Sequence, residues 1–209
     1  MAHGFRIIVA GLLLFIGFSS CERTRDTRFN TLPPSLPALQ EGDIAFRRGV
    51  GVMSRMVLMA DDEGIYSHIG IVIRHEGKWK IVHVVPGEPD FEGDPDRVKM
   101  DDPELFFARE RAERGALMRL KIDKDRIAEK AARKAAELYS RGILFDHSYD
   151  SKDTTQMYCT EFVNYVYRCA GLQLVEGSGH RIPFPGKEVQ IWFPGDVQLC
   201  KDLKLIYQY

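Results

Sequence analysis

The sequence predicts one α+β domain, on three observations. A β-branched hairpin occupies residues 67–85. Two stretches with apolar residues at helical spacing follow, at 123–141 and 159–170. Strand-like runs then return between 189 and 207. Strands, two helices and further strands are the order of an α+β domain. The 209 residues, 44% hydrophobic and 28% charged, have the make-up of an ordinary globular fold with a substantial core. A net charge of −1 offers no basic field to hold nucleic acid.

The fold is expected to begin near Glu41-Gly42-Asp43, with Ile44-Ala45-Phe46 as a short strand and the apolar Met53 to Met59 as a short helix. Ser67 to Arg74 is apolar and β-branched, His75-Glu76-Gly77 turns the chain, and Lys78 to Val85 returns until Pro86-Gly87 ends it. Glu88 to Asp102 is acidic, with Pro and Gly, and reads as a surface loop. Asp102 and Pro103 are a cap and a first helical position for a short helix to Phe107. Leu117 to Ile122 is a strand candidate. Asp123 to Arg141 is the strongest helix: Ile127, Ala131, Ala135 and Leu138 share a face, Asp123 stands as cap and Gly142 stops it. A polar, aromatic loop, Phe145 to Tyr158, leads into a helix beginning at Cys159, with Phe162, Val163, Val166 and Ala170 on one side and a stop at Gly171. Val189 to Phe193, Gly195 to Gln198 and Leu203 to Tyr207 read as strands.

The N-terminal end has another character. Met1 to Arg6 is basic, Ile7 to Phe18 almost wholly apolar, and Ser19-Ser20-Cys21 closes the run. This is the layout of a secretory signal, and the run is too short for a comfortable membrane span. Cys21 after two small residues resembles a bacterial lipobox, although Phe18 stands where that pattern has Leu. The resemblance implies a lipid anchor on Cys21 and a place at the cell envelope, facing the periplasm or the cell surface. An ordinary signal cut nearby, or an uncleaved anchor, is the alternative. Residues 22–40 are polar and then proline-rich, as expected of an extended tether. The chain thus divides into a signal (1–21), a tether (22–40) and a domain (41–209). Cys169 and Cys200 either pair in an oxidising envelope or remain buried thiols.

Cys159 carries the chemistry. A thiol at a helix start feels the positive end of the helix dipole, which favours thiolate. With a turn centred on Glu76-Gly77, position 70 faces position 83, so His68 and His83 project from one face on a cross-strand diagonal about 7–8 Å long. A one-residue slip of register would separate them. His68 is then the general base and acid, and His83 orients its ring. The backbone N–H of Cys159, with Tyr158 or Tyr66, is the candidate donor set for an oxyanion. Asp146, Asp150 and Asp153 either line the cleft or keep their loop soluble.

Four stretches carry a resemblance: Gly42-Asp43-Ile44-Ala45-Phe46-Arg47, Tyr66-Ser67-His68-Ile69-Gly70-Ile71-Val72, Ile81-Val82-His83, and Tyr158-Cys159-Thr160-Glu161-Phe162-Val163. Together they resemble the permuted papain-like cysteine hydrolases of the YiiX/YaeF type, relatives of NlpC-type cell-wall amidases, in which the histidine precedes the cysteine. The resemblance implies a circularly permuted papain-like fold, an antiparallel sheet packed on helices, a nucleophile at a helix N-terminus, and no metal or organic cofactor. It implies an envelope cysteine amidase or peptidase acting through Cys159, His68 and His83 on a peptidoglycan peptide or another amide. Many YiiX-like relatives have Glu where this chain has His83. Histidine there is similar to the lecithin:retinol acyltransferase-like branch, so a lipid acyl hydrolase or acyltransferase is the second expectation. A non-catalytic cell-wall-binding lipoprotein is the third. A metal site made of the same three side chains matches no short zinc motif.

Overall fold

The computed structural model describes residues 35–61, 64–150 and 153–209. The signal segment, Cys21 and residues 22–34 of the tether lie outside the described residues. The end of the tether already belongs to the domain: Leu36 and Leu39 pack against the sheet, and the Ala38 carbonyl accepts a hydrogen bond from Arg119 at 2.9 Å. The packed unit therefore starts a few residues before the expected boundary at 41.

The architecture is mixed α and β. β1 (Ile44–Gly49), β2 (His68–His75), β3 (Lys78–Val85), β4 (Arg97–Asp101) and β5 (Ala112–Leu120) form the body of an eight-stranded sheet. Two short strands, β6 (Leu144–Phe145) and β7 (Gln156–Met157), extend one edge, and β10 (Leu203–Gln208) forms the other. The order is β10-β5-β1-β2-β3-β4-β6-β7, antiparallel throughout except for β6 with β7. β8 (His180–Phe184) and β9 (Lys187–Ile191) make a separate hairpin.

Side chains alternate across the sheet, so each strand feeds two cores. α3 (Ile127–Arg141) and α4 (Cys159–Ala170) cover one face. There Ile69, Ile71, Val82 and Val84 meet Ala131, Leu138, Phe162 and Val166 in the main core. The other face carries Ala45, Val72, Ile81 and Leu117 under Phe106 and Phe107, delivered by the short α2 (Pro103–Phe106) and the residue after it. Asp43 joins β5 to the start of β1: its carboxylate accepts from Arg119 at 2.6 and 2.8 Å and from the Gln40 backbone at 2.8 Å.

Several elements depart from the sequence expectation: β5 starts at Ala112, five residues early, and β7 and β8 were not expected as strands. The supposed surface loop 88–102 contains β4, whose Lys99 and Asp101 are buried despite their charge. Residues 195–198 are helical, not a strand: α5 (Pro194–Gln198) starts on a proline, and the Asp196 carboxylate accepts from the Phe193 N–H at 2.7 Å. α3 starts at Ile127, after a 3-10 turn in which Asp125 and Arg126 both have φ of 57°; Asp123 still takes the Ala128 N–H at 3.1 Å. Asp102 makes no side-chain cap for α2 and instead pairs with Lys80 at 2.7 Å. α1 (Val52–Ala60) forms as expected but buries none of its residues. Among the described residues no helix is long and apolar enough to cross a membrane.

Candidate active site

The β2–β3 hairpin has the register that the turn residues imply. Glu76 and Gly77 both take positive φ, as a two-residue turn between twisted strands requires, and Gly70 pairs with His83. His68 and His83 therefore point to the same face, the one shared with Val72 and Ile81. His68 Nε2 lies 2.9 Å from His83 Nδ1, with the rings edge-to-face at 77°. The Phe106 ring backs both imidazoles, with centroids 5.7 and 5.1 Å away. Gly70 is what lets His83 sit there: a Cβ at position 70 would come within 2.9 Å of the Val82 carbonyl and 3.0 Å of the His83 Cβ.

The chain of contacts continues beyond the predicted pair. His83 Nε2 lies 3.2 Å from Asp101 Oδ2, and Arg111 reaches the same oxygen at 2.9 Å. Burial opposes a charge on Asp101. The hydrogen bond from His83 and the positive charges of Arg111 and Arg47 outweigh it and hold the carboxyl down at about 2. An ionised carboxylate only accepts, so His83 donates from Nε2 and accepts at Nδ1. His68 then donates from Nε2, and its Nδ1 is left with the lone pair. Asp101 was hidden because its strand read as an acidic loop. The alternation of Val98 and Met100 with Arg97, Lys99 and Asp101 is the signal that could have found it. Arg111 had no sequence signal.

Cys159 is the first residue of α4 and half-buried. The body of α4 packs on the opposite sheet face from the histidines, so the helix tip approaches at the start of β2. The backbone N–H groups of Ile69 and Thr160 face the sulfur, and Thr160 Oγ1 lies 3.9 Å from it. Cys159 Sγ makes no direct hydrogen bond to His68 in this structure, but both residues line one cavity of about 810 Å³. Burial pushes the thiol above its ordinary range, and the Thr160 hydroxyl and these N–H groups recover only part of that. Burial, with the positive charges of Arg47 and Arg111 close by, pushes His68 well below the usual imidazole value. The resting pair is thiol and neutral imidazole, in place of the dipole-stabilised thiolate expected from the helix start.

Tyr158 lines the cavity, and its hydroxyl accepts the Trp192 backbone N–H at 3.0 Å. Burial drives its ionisation well above the usual phenol range, so it remains a donor. Tyr66 does not line the cavity: it is a core residue against Phe46, and its hydroxyl takes Gln208 at 3.0 Å. Asp146 organises its loop, accepting from Ser148 N and Oγ and from Asp150 N at 2.6–2.8 Å. Cys169 is exposed, Cys200 half-buried, and both are unbonded. Two buried donors of cavity-lining residues have no partner, Arg47 Nε and Trp192 Nε1. In native folds such groups are rare and call for an explanation.

No family model matches the chain, and no curated protein matches it by sequence. Among solved structures it matches the metalloprotein yiiX from Escherichia coli O157:H7, with a TM-score of 0.61 and 20% identity. The match covers 81% of this chain and 97% of that one. The described side chains of this chain do not gather into a metal centre. The two histidines face each other's ring nitrogens, His83 spends its second nitrogen on Asp101, and no cluster of three or more metal-ligating groups converges among the described residues. What is shared is architecture: this chain has the fold of yiiX.

Proposed function

We propose that the chain is a cysteine hydrolase of the cell envelope, an amidase or peptidase acting on cell-wall peptides through Cys159, on a circularly permuted papain-like plan. The observation that carries the reading is the 2.9 Å contact between His68 and His83, made behind a cavity that His68 shares with a cysteine at a helix start. His68 Nδ1 takes the proton from the Cys159 thiol as the sulfur attacks the scissile carbonyl. The tetrahedral oxyanion is met by the Cys159 backbone N–H and the Tyr158 hydroxyl. The carbon–nitrogen bond then breaks, His68 returns the proton to the leaving amine, and a thioester remains on Cys159. Water, deprotonated by the same nitrogen, releases the acid and restores the thiol. His83 and Asp101 keep Nδ1 unprotonated in the resting enzyme and share the positive charge that forms in the transition state. The envelope location rests on the basic, apolar and small-residue layout of residues 1–21 and on Cys21 as a lipid anchor.

A lipid ester is the second reading. It is favoured by α1, which lines the cavity mouth and exposes Val52, Met53, Met56 and Met59. One experiment separates the two. The wild-type protein and Cys159→Ala are incubated with a muropeptide mixture and, separately, with phospholipid vesicles, and products are read by mass spectrometry. Peptide cleavage is expected, with Cys159→Ala losing on the order of 10³-fold or more in rate. Full activity in Cys159→Ala ends the nucleophile assignment, and a thioester trapped from vesicles alone transfers the assignment to the lipid reading.

A further inference from the structure

The polar end of the cavity holds two arginines that take no direct part in the hydrolytic steps. Arg47 pairs directly with His68 across β1 and β2, so the two side chains leave the sheet side by side on the same face. Arg47 is only 2% exposed. Its guanidinium lies 4.7 Å above the Phe106 ring centroid and gives one hydrogen bond to the Phe106 carbonyl at 3.2 Å. Arg111 comes from the turn before β5. A single carboxylate bridges them: Glu88 accepts from Arg47 Nη2 with one oxygen and from Arg111 Nη1 with the other at 2.7 Å. Glu88 belongs to neither sheet nor helix. It sits in the strap between β3 and β4, just after Gly87, whose φ is 73°. Lys99 grips the strap through the Glu88 carbonyl and Asp90. Arg47, Arg111 and Glu88 all line the cavity, and Arg47 Nε is one of the two buried donors of its lining residues without a partner.

We propose that Arg47 and Arg111 form a carboxylate-binding subsite of this cavity, filled by the protein's own Glu88, and that a substrate carboxylate enters by displacing Glu88. The proposal rests on the reading of the cavity as the place where Cys159 works, and it names the substrate class: an amide bearing a carboxylate close to the bond that is cut. Two guanidiniums that each give an N–H to a different oxygen of one carboxylate are already spaced for a carboxylate, and both are fixed before any ligand arrives. The unpartnered Nε–H supplies one hydrogen bond that Glu88 does not make, so an incoming anion gains a contact that the resident carboxylate lacks. Because Arg47 flanks His68, the bound carboxylate lies beside the general base. The rest of the ligand extends toward Val52, Met53 and Trp192 at the apolar end.

The test reads binding in the Cys159→Ala background, where neither probe is turned over. Hexanoyl-glycine and hexanoyl-glycinamide differ only in that charge, and each is titrated calorimetrically into Cys159→Ala alone, with Glu88→Gln added, and with Glu88→Gln and Arg111→Gln added together. Removing the resident anion is expected to tighten hexanoyl-glycine by about tenfold, because the probe no longer has to break the charge-assisted contacts of Glu88 with the two arginines. The glycinamide is expected to change little, and Arg111→Gln to cancel the gain. Glu88 is partly exposed, and its removal leaves the strap anchored by Lys99. Equal affinity of the two probes for Glu88→Gln, absence of binding by hexanoyl-glycine, or a gain that survives Arg111→Gln overturns the proposal. Product formation is read separately on wild-type protein: no cleavage there with these affinities intact ends the hydrolase reading and leaves the subsite standing, so the two failures are told apart.

Discussion

Arg111, Asp101, His83 and His68 form a series in which each residue removes one alternative from the next. Asp101 matters most, because a carboxylate held at about 2 cannot donate, and this alone orients both imidazoles. Asp101→Asn keeps the shape, but it removes the anion that stabilises an imidazolium on the histidine pair and leaves Arg111 short of a partner. We expect kcat to fall by about 10²-fold. The acid limb of kcat/KM is expected to move to lower pH, since losing a nearby negative charge lowers an imidazole pKa. Hydrolysis rates between pH 4 and 8 check both. A rate loss with an unmoved acid limb would assign Asp101 a packing role only. The neutral resting pair bears on the same profile: His68 is already deprotonated through the neutral range, so the acid limb of the wild type belongs below the usual imidazole value.

At the scale of elements, the β2–β3 hairpin and the two long helices were legible for a simple reason. Their patterns are local: β-branched runs around Glu76-Gly77, and apolar residues three and four apart ending on Gly142 and Gly171. The pairing of Gly70 with His83 followed from the turn alone. What stayed hidden depends on partners far along the chain. β4 is polar at alternate positions because Lys99 is buried against the Glu88 carbonyl and Asp90, and Asp101 against Arg111, and a polar strand reads as a loop. The tether's last residues became part of the domain through Leu36 and Leu39, which find the sheet's second face only after α2 has built it. The helix tip behaved differently from expectation because desolvation of the sulfur exceeds what a few N–H groups return. Gly70 tests the hairpin directly. Gly70→Ala forces a Cβ against the Val82 carbonyl and the His83 Cβ, and backbone cannot yield cheaply there. We expect a loss of about 2 kcal/mol in stability by urea unfolding. The fall in activity should exceed that of a variant equally destabilised at Leu203, on the far edge strand. Equal activity losses in the two variants would show that His83 tolerates displacement.

Across the whole molecule, two buried groups pull the pH dependence of stability in opposite directions. Glu161, the third residue of α4, has one buried carboxyl oxygen without a partner, while its carboxyl accepts the Tyr158 backbone N–H. Burial and the nearby Asp146 raise it to about 7, against the pull of that N–H and of Arg168. Folded protein therefore binds this proton more tightly than unfolded chain. The stability it contributes is complete below the ordinary carboxylate value of 4.5 and is lost as pH rises through about 7. The shift corresponds to about 3 kcal/mol at most. His68 has the other sign. Its folded pKa is depressed, so the unfolded chain binds the extra proton, and stability grows as pH rises toward 6.5. Between 4.5 and 6.5 the two trends oppose each other and flatten the wild-type curve. Glu161→Gln removes one of them. Its melting temperature, measured by scanning calorimetry from pH 4.5 to 8, should climb relative to wild type as pH increases. The gap should widen until about pH 7 and then level off. A variant whose curve runs parallel to wild type over that range would mean that Glu161 is already ionised in the folded protein, with water or a cation reaching the oxygen that has no protein partner.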